Sequence, residues 1–544
     1  MALCLLLAGC AGQPRAPVWR PMPSAPPTTH PTVEPALEAT RATSSQTAPA
    51  SALLSRELAP YALALRPGHR RDIEAFADAT RYDIELLIDP GAPSATGRQT
   101  VRYTNRGATP LGEILLRLYP NTPYMNGAMR VTSALADGRP VTPSPYLRQR
   151  SDLATPVTDT SVIRLPLAAP LAAGRSVWLT MTFELTAPID TDAGYRVFGR
   201  ANGVLSLPNA YPMIPPRDAA GWRVDEAPAW GDIVFSETAL YRVRIRAPAA
   251  AVIVATGVCA PSNAPASPKE PPAAPAPQQD VTCVAGPVRD FAFHLSDQFQ
   301  SIQAPMLSQG EHITITSYYL PGNRMGGARA LTYAAEAVRV FERRFGAYPF
   351  KELKVFMSPT TAGGIEYPLL AGVTDALYDI TGGYFEWVTV HEVAHQWWYS
   401  LVGSDPLNEA WLDEALTQYA TSLYIEDRYG LPEAQAERER YFTRRYENDA
   451  RRLNRDDRVG QPTGAFDRRA YGPLVYGKGP LFFQAVRDAA GDARFNSWLR
   501  AYFNRYRYGI ASAEDLLRMA DETGIGPAAR QAYQRWILGA GRPD

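Results

Sequence analysis

The chain has 544 residues, of which 46% are hydrophobic and 20% are charged, and its formal net charge is zero. This length exceeds one ordinary hydrophobic core, so two or more domains are expected, and the composition is that of a folded rather than a disordered protein. A neutral chain produces no overall field that attracts polyanions, so we expect no nucleic-acid partner.

The first ten residues form a short apolar run that ends in Leu7-Ala8-Gly9-Cys10. The run is too short to cross a bilayer and resembles the end of a secretory signal with a bacterial lipobox. We therefore predict a lipoprotein signal over residues 1–10, a lipid anchor on Cys10, and an exported protein held at a membrane, on the periplasmic face or the cell surface. An ordinary signal peptide or a chance apolar run is the alternative, since no Lys or Arg precedes the run.

Pro, Ala, Thr and Ser dominate the following residues, most clearly up to about residue 55. Such a composition cannot bury enough apolar surface to fold. We predict that residues 11–75 form a disordered tether between the membrane and the folded part.

A period of two characterises the next part of the chain. Tyr241, Val243 and Ile245 alternate with arginines, which is typical of a half-buried strand. Several such segments are separated by Gly, Pro, Asn and Asp. They predict an antiparallel β-sandwich or saddle-shaped sheet domain over residues 76–310.

Cys259 and Cys283 each follow a strand candidate and flank a Pro/Ala-rich stretch. Two strands joined by a long loop can bring both thiols together, and an exported protein favours their oxidation. We expect a Cys259–Cys283 disulfide. Metal binding by this pair is the weaker alternative, because no histidine lies nearby.

Near residue 327 the hydrophobic period changes to that of a helix, and residues 311–544 are predicted to form a mixed, then helical, catalytic domain. Gly430 is predicted to end one helix, and Ser512 with Asp515 to begin another through a capping box. The predicted elements are helices over about residues 328–345, 384–400 and 408–429, with strands at about 353–356 and 365–373.

His391-Glu392-Val393-Ala394-His395 lies within the second of these helices. Side chains four residues apart share one face of a helix, so both imidazoles can contact one ion, and zinc favours such nitrogen ligands. Glu392 is turned aside by about a quarter of the helix circumference, which places it beside the ion to accept a proton from bound water.

No other histidine follows these two, so a carboxylate has to complete a three-ligand catalytic site. Eighteen residues separate Glu414 from His395, which leaves room for a loop and an antiparallel helix. Glu414 also stands beside an apolar stripe, where a carboxylate is costly unless it is paired or metal-bound. Asp413 and Glu409 are alternative ligands, although solvated positions are the simpler expectation for both. We predict one Zn2+ per chain, held by His391, His395 and Glu414.

Taken together, the motifs resemble the aminopeptidase N family of gluzincins, in which His-Glu-x-x-His is followed by a Glu within Trp-Leu-Asp-Glu. Gly363-Gly364-Ile365-Glu366-Tyr367 stands where that family has Gly-x-Met-Glu-Asn, and Tyr476-Gly477-Lys478-Gly479 resembles its Tyr-x-Lys-Gly. The resemblance implies a multidomain α+β protein in which the β-rich domain is followed by a thermolysin-like α/β catalytic domain. It also implies a zinc aminopeptidase that removes N-terminal residues from peptides.

The resemblance assigns catalytic roles to two of the matching residues. Glu392 acts as general base and then acid, and Tyr476 donates a hydrogen bond to the developing oxyanion. A core aromatic is the alternative for Tyr476.

Substrate recognition in this family involves the glycine-rich segment. Glu366 would pair with the free α-ammonium of a peptide, and Gly363 and Gly364 would let the substrate backbone approach. Tyr471 is a further candidate for lining this site. The family also contributes a Gln or Glu from the sheet domain, for which Asn209 is the candidate.

The chain departs from the family pattern in two respects. Ile365 and Tyr367 replace Met and Asn, which leaves the pocket shape open. Few residues follow Tyr476, so we expect no large C-terminal helical domain and a more open cleft. Endopeptidase activity and a catalytically silent binding module are the competing hypotheses.

Overall fold

The computed structural model describes residues 56–149, 155–262 and 277–539. The predicted lipoprotein signal over residues 1–10, with Cys10, and the predicted tether up to residue 55 lie outside these ranges. Within the described residues, we find no helix with the length and hydropathy needed to span a bilayer.

The segment before the first strand is packed against the rest of the protein. It forms 3-10 turns at Tyr61–Ala64 and Pro67–Phe76, and Leu65 and Ile73 are buried. The Arg66 guanidinium, also buried, donates to Glu342 Oε1 at 2.9 Å. The predicted tether over residues 11–75 is therefore wrong for its last part, because apolar side chains and a buried ion pair fix that part to the catalytic domain.

The β-rich domain is built from short and long strands in the following order: β1 Arg81–Asp89, β2 Ser94–Thr104, β3 Leu111–Arg117, β4 Ala128–Ala136, β5 Arg139–Pro140, β6 Ser144–Arg148, β7 Val157–Leu171, β8 Ser176–Thr186, β9 Gly199–Ala201, β10 Val204–Ser206, β11 Arg217–Asp218, β12 Gly221–Trp222, β13 Ala239–Pro248, β14 Val252–Ala255, β15 Val258–Pro261, β16 Gln278–Val288 and β17 Phe293–Ser296.

The largest sheet of this domain has the order β15-β16-β13-β1-β2-β8-β4-β5. Smaller sheets, β14-β17-β10-β9 and β3-β7-β6, accompany it. Tyr241, Val243 and Ile245 on β13 are fully buried, as their alternation predicts. The β-rich fold is confirmed, with one difference: β1 and β13 pair in parallel, since β13 returns to β1 only after a long excursion of the chain.

The predicted disulfide is present. Cys259 on β15 and Cys283 on β16 face each other directly in an antiparallel pair, with their Cα atoms 4.0 Å apart. The bond closes the hairpin formed by these two strands.

The catalytic domain contains a second large sheet, of order β18-β19-β20-β22-β21. Its strands are β18 Gln300–Ser308, β19 Glu311–Tyr319, β20 Glu352–Ser358, β21 Gly364–Tyr367 and β22 Leu370–Thr374. Since β18 pairs with β19 along its whole length, this domain begins near residue 300 rather than at the predicted 311. The single strand predicted over about 365–373 is a hairpin, with Leu369 at a φ of 64° between its arms.

The helices are α1 Arg324–Arg344, α2 Gly383–Ala394, α3 Ala410–Tyr429, α4 Leu431–Arg438, α5 Arg444–Tyr446, α6 Arg468–Pro473, α7 Gly479–Ala490, α8 Asp492–Tyr506, α9 Ala513–Glu522 and α10 Gly526–Trp536. Shorter turns are π-helical at Glu439–Thr443, Glu447–Arg451 and Leu474–Lys478, and 3-10 at Tyr119–Asn121, Ala193–Arg196, Asp375–Leu377 and Thr463–Ala465.

Two of the predicted helix boundaries are confirmed and one is not. Gly430 ends α3 at a φ of 95°, and Ser512 and Asp515 form the capping box of α9. The helix predicted to reach about residue 400 ends at Ala394, after which the chain turns through Tyr399 at a φ of 151°. The helices after Tyr476 pack on α3 and on one another, so they belong to the catalytic domain.

Candidate active site

Three predicted ligands meet where α2 and α3 pack together. His391 lies in the last turn of α2, His395 is its C-cap, and Glu414 lies in the second turn of α3. His391 Nε2 is 3.2 Å from His395 Nε2 and 3.2 Å from Glu414 Oε2, and His395 Nε2 is 3.5 Å from that oxygen. All three side chains are buried.

The size of this triangle suits a zinc ion. Ligands at about 2.0–2.1 Å from zinc in tetrahedral geometry lie about 3.3 Å from one another. The three edges match this separation, and two imidazoles with one carboxylate are a donor set that zinc uses in catalytic sites. These residues therefore fit the metal that the sequence predicts.

The orientation of His395 depends on Asp413. His395 Nδ1 lies 2.8 Å from Asp413 Oδ1 and 3.2 Å from Thr417 Oγ1, both on α3. With its Nδ1 proton donated to Asp413, the ring presents the lone pair of Nε2 to the triangle. The expectation of a solvated Asp413 is wrong, because this side chain is only 2% exposed. Asp413 stands one helical turn before Thr417 on the buried stripe, and this spacing was the sequence feature that could have indicated its burial.

Glu409 is partly buried. Both of its carboxylate oxygens lie 3.2 Å from the backbone N–H of Ala513, at the first residue of α9. Its role is to cap another helix, because an acidic side chain is favourable at a helix N-terminus.

Glu392 lies against the edge strand β21. A Cβ atom at Gly364 would stand 2.2 Å from Glu392 Oε1, so only glycine allows this approach. Burial raises the pKa of the Glu392 carboxyl well above its usual range; nearby Glu366 adds to this effect and His395 opposes it. Glu392 is thus held as a group with increased affinity for a proton.

Tyr476 lies in the π-helical turn Leu474–Lys478, and its hydroxyl donates to Glu414 Oε1. Glu414 therefore uses one oxygen for the histidines and the other for Tyr476. A Cβ at Gly479 would be 2.7 Å from that of Ala415, so this glycine lets the turn approach α3 closely. Burial raises the pKa of Tyr476 well above its usual range, which keeps the phenol protonated.

Lys478 and Tyr471 lie near Tyr476 in different surroundings. Lys478 is buried and donates to Asp456 Oδ1 and to the carbonyls of Asp457 and Gly539. The Tyr471 ring packs edge-on against Tyr476 with 6.2 Å between centroids.

Glu366 faces a cavity between the two domains. It is buried on β21, and the hairpin that carries it is tied to the end of α2 by Gln396, which accepts from Leu369 N at 2.8 Å and donates to Tyr367 O at 3.0 Å. Burial raises the pKa of Glu366 to about 8. Sequence reasoning missed Gln396, although it directly follows the second histidine. The cavity is also lined by Tyr124, Met125, Val197, Pro208, Asn209, Asp232, Ile233, Val234, Ile365, Tyr367 and Tyr399.

Two polar residues of the β-rich domain reach this cavity. Asn209, the candidate predicted from sequence, is buried there at a φ of 51°. Asp232, in the loop between β12 and β13, was missed because a loop residue carries no periodic or motif signal. Burial raises its pKa well above the usual range, and the carboxylates of Glu366 and Glu414 add to the effect. The site thus gathers carboxylates from both domains.

Residues 329–536 match the peptidase family M1 domain. The chain carries a peptidase family M1 domain. The M1 match confirms the family resemblance, and it covers the whole cluster from Glu366 to Tyr476.

Two known proteins to which this chain is similar are aminopeptidases. The chain is 26% identical over 254 residues to mitochondrial aminopeptidase 2 of Saccharomyces cerevisiae, covering 43% of this chain and 26% of that enzyme. It is 28% identical over 217 residues to aminopeptidase B of Mus musculus, covering 37% and 33%. The chain therefore spans about a quarter to a third of these relatives.

Similar solved structures extend beyond the M1 domain. The M1 zinc metallopeptidase of Deinococcus radiodurans aligns with a TM-score of 0.63 at 22% identity, covering 86% of this chain and 94% of that one. A mutant of that enzyme bound to a Tyr-Ser-Ala substrate aligns with a TM-score of 0.63 at 21% identity, covering 86% and 95%. At this identity the likeness establishes the shared two-domain fold.

Replacing Gly364 should displace Glu392. In Gly364→Ala, the added methyl group has to push the carboxylate away, and we expect peptide turnover to fall by about 100-fold, the effect of an ångström-scale misplacement. Gly383→Ala, at the first residue of the helix that carries Glu392, is the matched control, because a Cβ there would meet none of the described atoms within 4 Å. Steady-state kinetics on both variants, with zinc content measured alongside, check this. Equal activities would show that the Gly364–Glu392 approach is unimportant.

Replacing Asp413 should weaken metal binding without removing a ligand. We expect Asp413→Asn to lower zinc affinity by about 10–100-fold, as for other carboxylates that orient a metal-binding histidine. Competition with a chromogenic chelator measures this affinity. Glu409→Gln, on the same segment but bonded to α9, should keep the zinc affinity of the native chain. An unchanged affinity in Asp413→Asn would contradict the assigned role.

Proposed function

We propose that this protein is a zinc aminopeptidase that removes the N-terminal residue from peptides. The observation that carries the proposal is the triangle of His391, His395 and Glu414, with Glu392 beside it and a cavity lined by Glu366 and Asp232 next to it. The M1 domain and its aminopeptidase relatives support the same reaction class.

His391, His395 and Glu414 would hold one zinc ion. When bound, zinc supplies a Lewis acid that makes water acidic enough to attack a carbonyl at neutral pH. The carboxylate of Glu392 accepts the proton of the attacking water and passes it to the leaving amine, as general base and then acid.

Tyr476 stabilises the charge that develops on the substrate. Its hydroxyl, bonded to Glu414 Oε1 when no peptide is bound, turns to the carbonyl oxygen as that oxygen becomes negative. Because its pKa is raised, the phenol retains the proton that it has to donate.

Glu366 and Asp232 recognise the free amine of the peptide. Burial raises the pKa of both carboxyl groups because it disfavours their ionised forms. The positive charge of an arriving ammonium group stabilises those ionised forms and is bound by them. This pairing fixes the scissile bond one residue from the N-terminus. Among the described strands β21 has a neighbour on one side only, and its other side would accept an extended substrate by antiparallel pairing. The apolar part of the cavity, including Tyr124, Met125 and Val197, would accept the side chain.

We also propose that the protein is exported and lipid-anchored through Cys10. The Leu7-Ala8-Gly9-Cys10 sequence supports this, and so does the Cys259–Cys283 disulfide, since such bonds persist in oxidising compartments. In a bacterial host, Cys10→Ser should move the protein from the membrane to the soluble fraction, measured by fractionation and immunoblotting. A wild-type protein that is already soluble would refute the anchor.

The amine requirement tests the proposed function. Wild-type protein should cleave a tripeptide with a free N-terminus at least about 10-fold better than its N-acetylated form, because acetylation removes the charged hydrogen bonds to Glu366 and Asp232. Glu366→Gln and Asp232→Asn should each raise KM for the free peptide. Glu392→Gln, as the control for the chemistry, should keep its zinc and lose turnover by about 100-fold or more.

Two results of this experiment would contradict the proposal. Equal cleavage of free and acetylated peptides would make the enzyme an endopeptidase. Full turnover in a zinc-loaded Glu392→Gln protein would exclude the mechanism.

A further inference from the structure

One arginine beside Tyr476 has no part in the mechanism. Arg445, on the short helix α5, places its Cζ atom 5.4 Å from the centroid of the Tyr476 ring. Its Nη2 atom lies close to Gly472, where a Cβ would be only 2.9 Å away. The half-buried guanidinium is thus held between an aromatic ring and a glycine. Stacking on an aromatic ring restricts arginine without using its hydrogen-bond donors.

Arg445 differs from its neighbours in having no acidic partner among the described residues. Arg440 is paired with Glu437, Arg444 with Glu439, and Arg451 with Glu447. The described part of the chain offers the guanidinium of Arg445 neither an ion pair nor a hydrogen bond. Its donors therefore remain available for an acceptor that comes from outside the chain.

The position of Arg445 complements the carboxylates of the cavity. Since the Tyr476 hydroxyl is bonded to Glu414, the guanidinium lies no farther than about three extended residues from the Glu414 carboxylate. Glu414 marks the reacting centre, and a tripeptide cleaved after its first residue places its carboxylate two residues, about 7 Å, beyond the scissile bond, within this limit. Acidic groups for the amine and an unpaired arginine beside Tyr476 therefore match the two charged ends of such a peptide.

We propose that Arg445 binds the α-carboxylate of di- and tripeptides and makes them the preferred substrates. The inference rests on the proposed aminopeptidase function and specifies its substrate class. The planar guanidinium can donate two parallel hydrogen bonds to a carboxylate, which gives both affinity and orientation. A peptide with an amidated C-terminus loses this interaction, and a longer peptide places its carboxylate elsewhere.

Three matched tripeptides test the proposal: a free acid, its C-terminal amide, and an amide with aspartate at the second position. For the wild-type enzyme, KM for the free acid should be about 10-fold lower than for either amide. In Arg445→Gln, this ratio should fall to about one, with kcat for the amides within about twofold of wild type. Arg445→Lys, which keeps the charge but not the two parallel donors of the guanidinium, should restore part of the preference for the free acid.

Arg444→Gln is the matched control, because Arg444 is exposed, adjacent in sequence and bonded to Glu439. It should keep the wild-type ratio. Equal losses of kcat on all three substrates in Arg445→Gln, with the ratio unchanged, would show that Arg445 only supports the Tyr476 ring and would overturn the proposal. A preference for the aspartate-containing amide would overturn it as well, since the carboxylate recognised would then belong to a side chain.

Binding measured without turnover separates this inference from the proposed function. In a Glu392→Gln background, calorimetry should show tighter binding of the free acid than of the amide, and addition of Arg445→Gln should abolish the difference. Equal binding of both peptides would refute the role of Arg445 even if the enzyme proves to be an aminopeptidase. A wild-type protein that binds the free acid selectively but cleaves no peptide would instead refute the proposed function alone.

Discussion

The burial of several ionisable side chains between two helices is the constraint on which the rest of the structure depends. His391, His395 and Glu414 are removed from water, with Asp413 and Glu392 beside them. Each buried charge costs several kcal/mol unless it is paired. The cluster is stable because its members pair with one another, and because their geometry suits a cation. A metal would satisfy at once the carboxylate and both ring nitrogens that point at each other.

The surrounding elements keep this cluster in register through close backbone approaches and buried polar clamps. Gly364 brings β21 against Glu392, and Gln396 ties the same hairpin to the end of α2. The β-rich domain is locked to the turn after α2 by Arg289, which is fully buried and donates to the carbonyls of Tyr399 and Leu401. Burial lowers the pKa of this guanidinium to about 10, so it stays charged at neutral pH. The cavity between the domains therefore has fixed walls on both sides.

Local pattern predicted the parts of the site that lie on single helices. His391 and His395 could be identified because one helical turn separates them, and Glu414 because a carboxylate in an apolar stripe needs a partner. The sequence did not reveal Asp232, since a loop residue is brought to the site only by the packing of two domains. The β21–β22 hairpin was read as one strand because Leu369, an apolar residue, occupies a left-handed turn that usually favours glycine. The segment around Arg66 was included in the tether because the predicted sheet domain begins only after it; its Leu and Arg content, unlike the Pro, Ala, Thr and Ser of the preceding residues, was the available signal.

The groups proposed to bind the two ends of a peptide are of opposite charge, and this asymmetry would connect the chemistry to the choice of substrate. Glu414 divides its two oxygens between the histidines and Tyr476, so the phenol is already close to the position where substrate charge develops. Arg445 stacks on that same ring. A zwitterionic peptide whose carboxylate is held by this guanidinium, and whose ammonium is held by Glu366, would be stretched across the reacting centre. Binding energy from both ends would then orient the scissile bond, which is the most effective use of contacts remote from the chemistry.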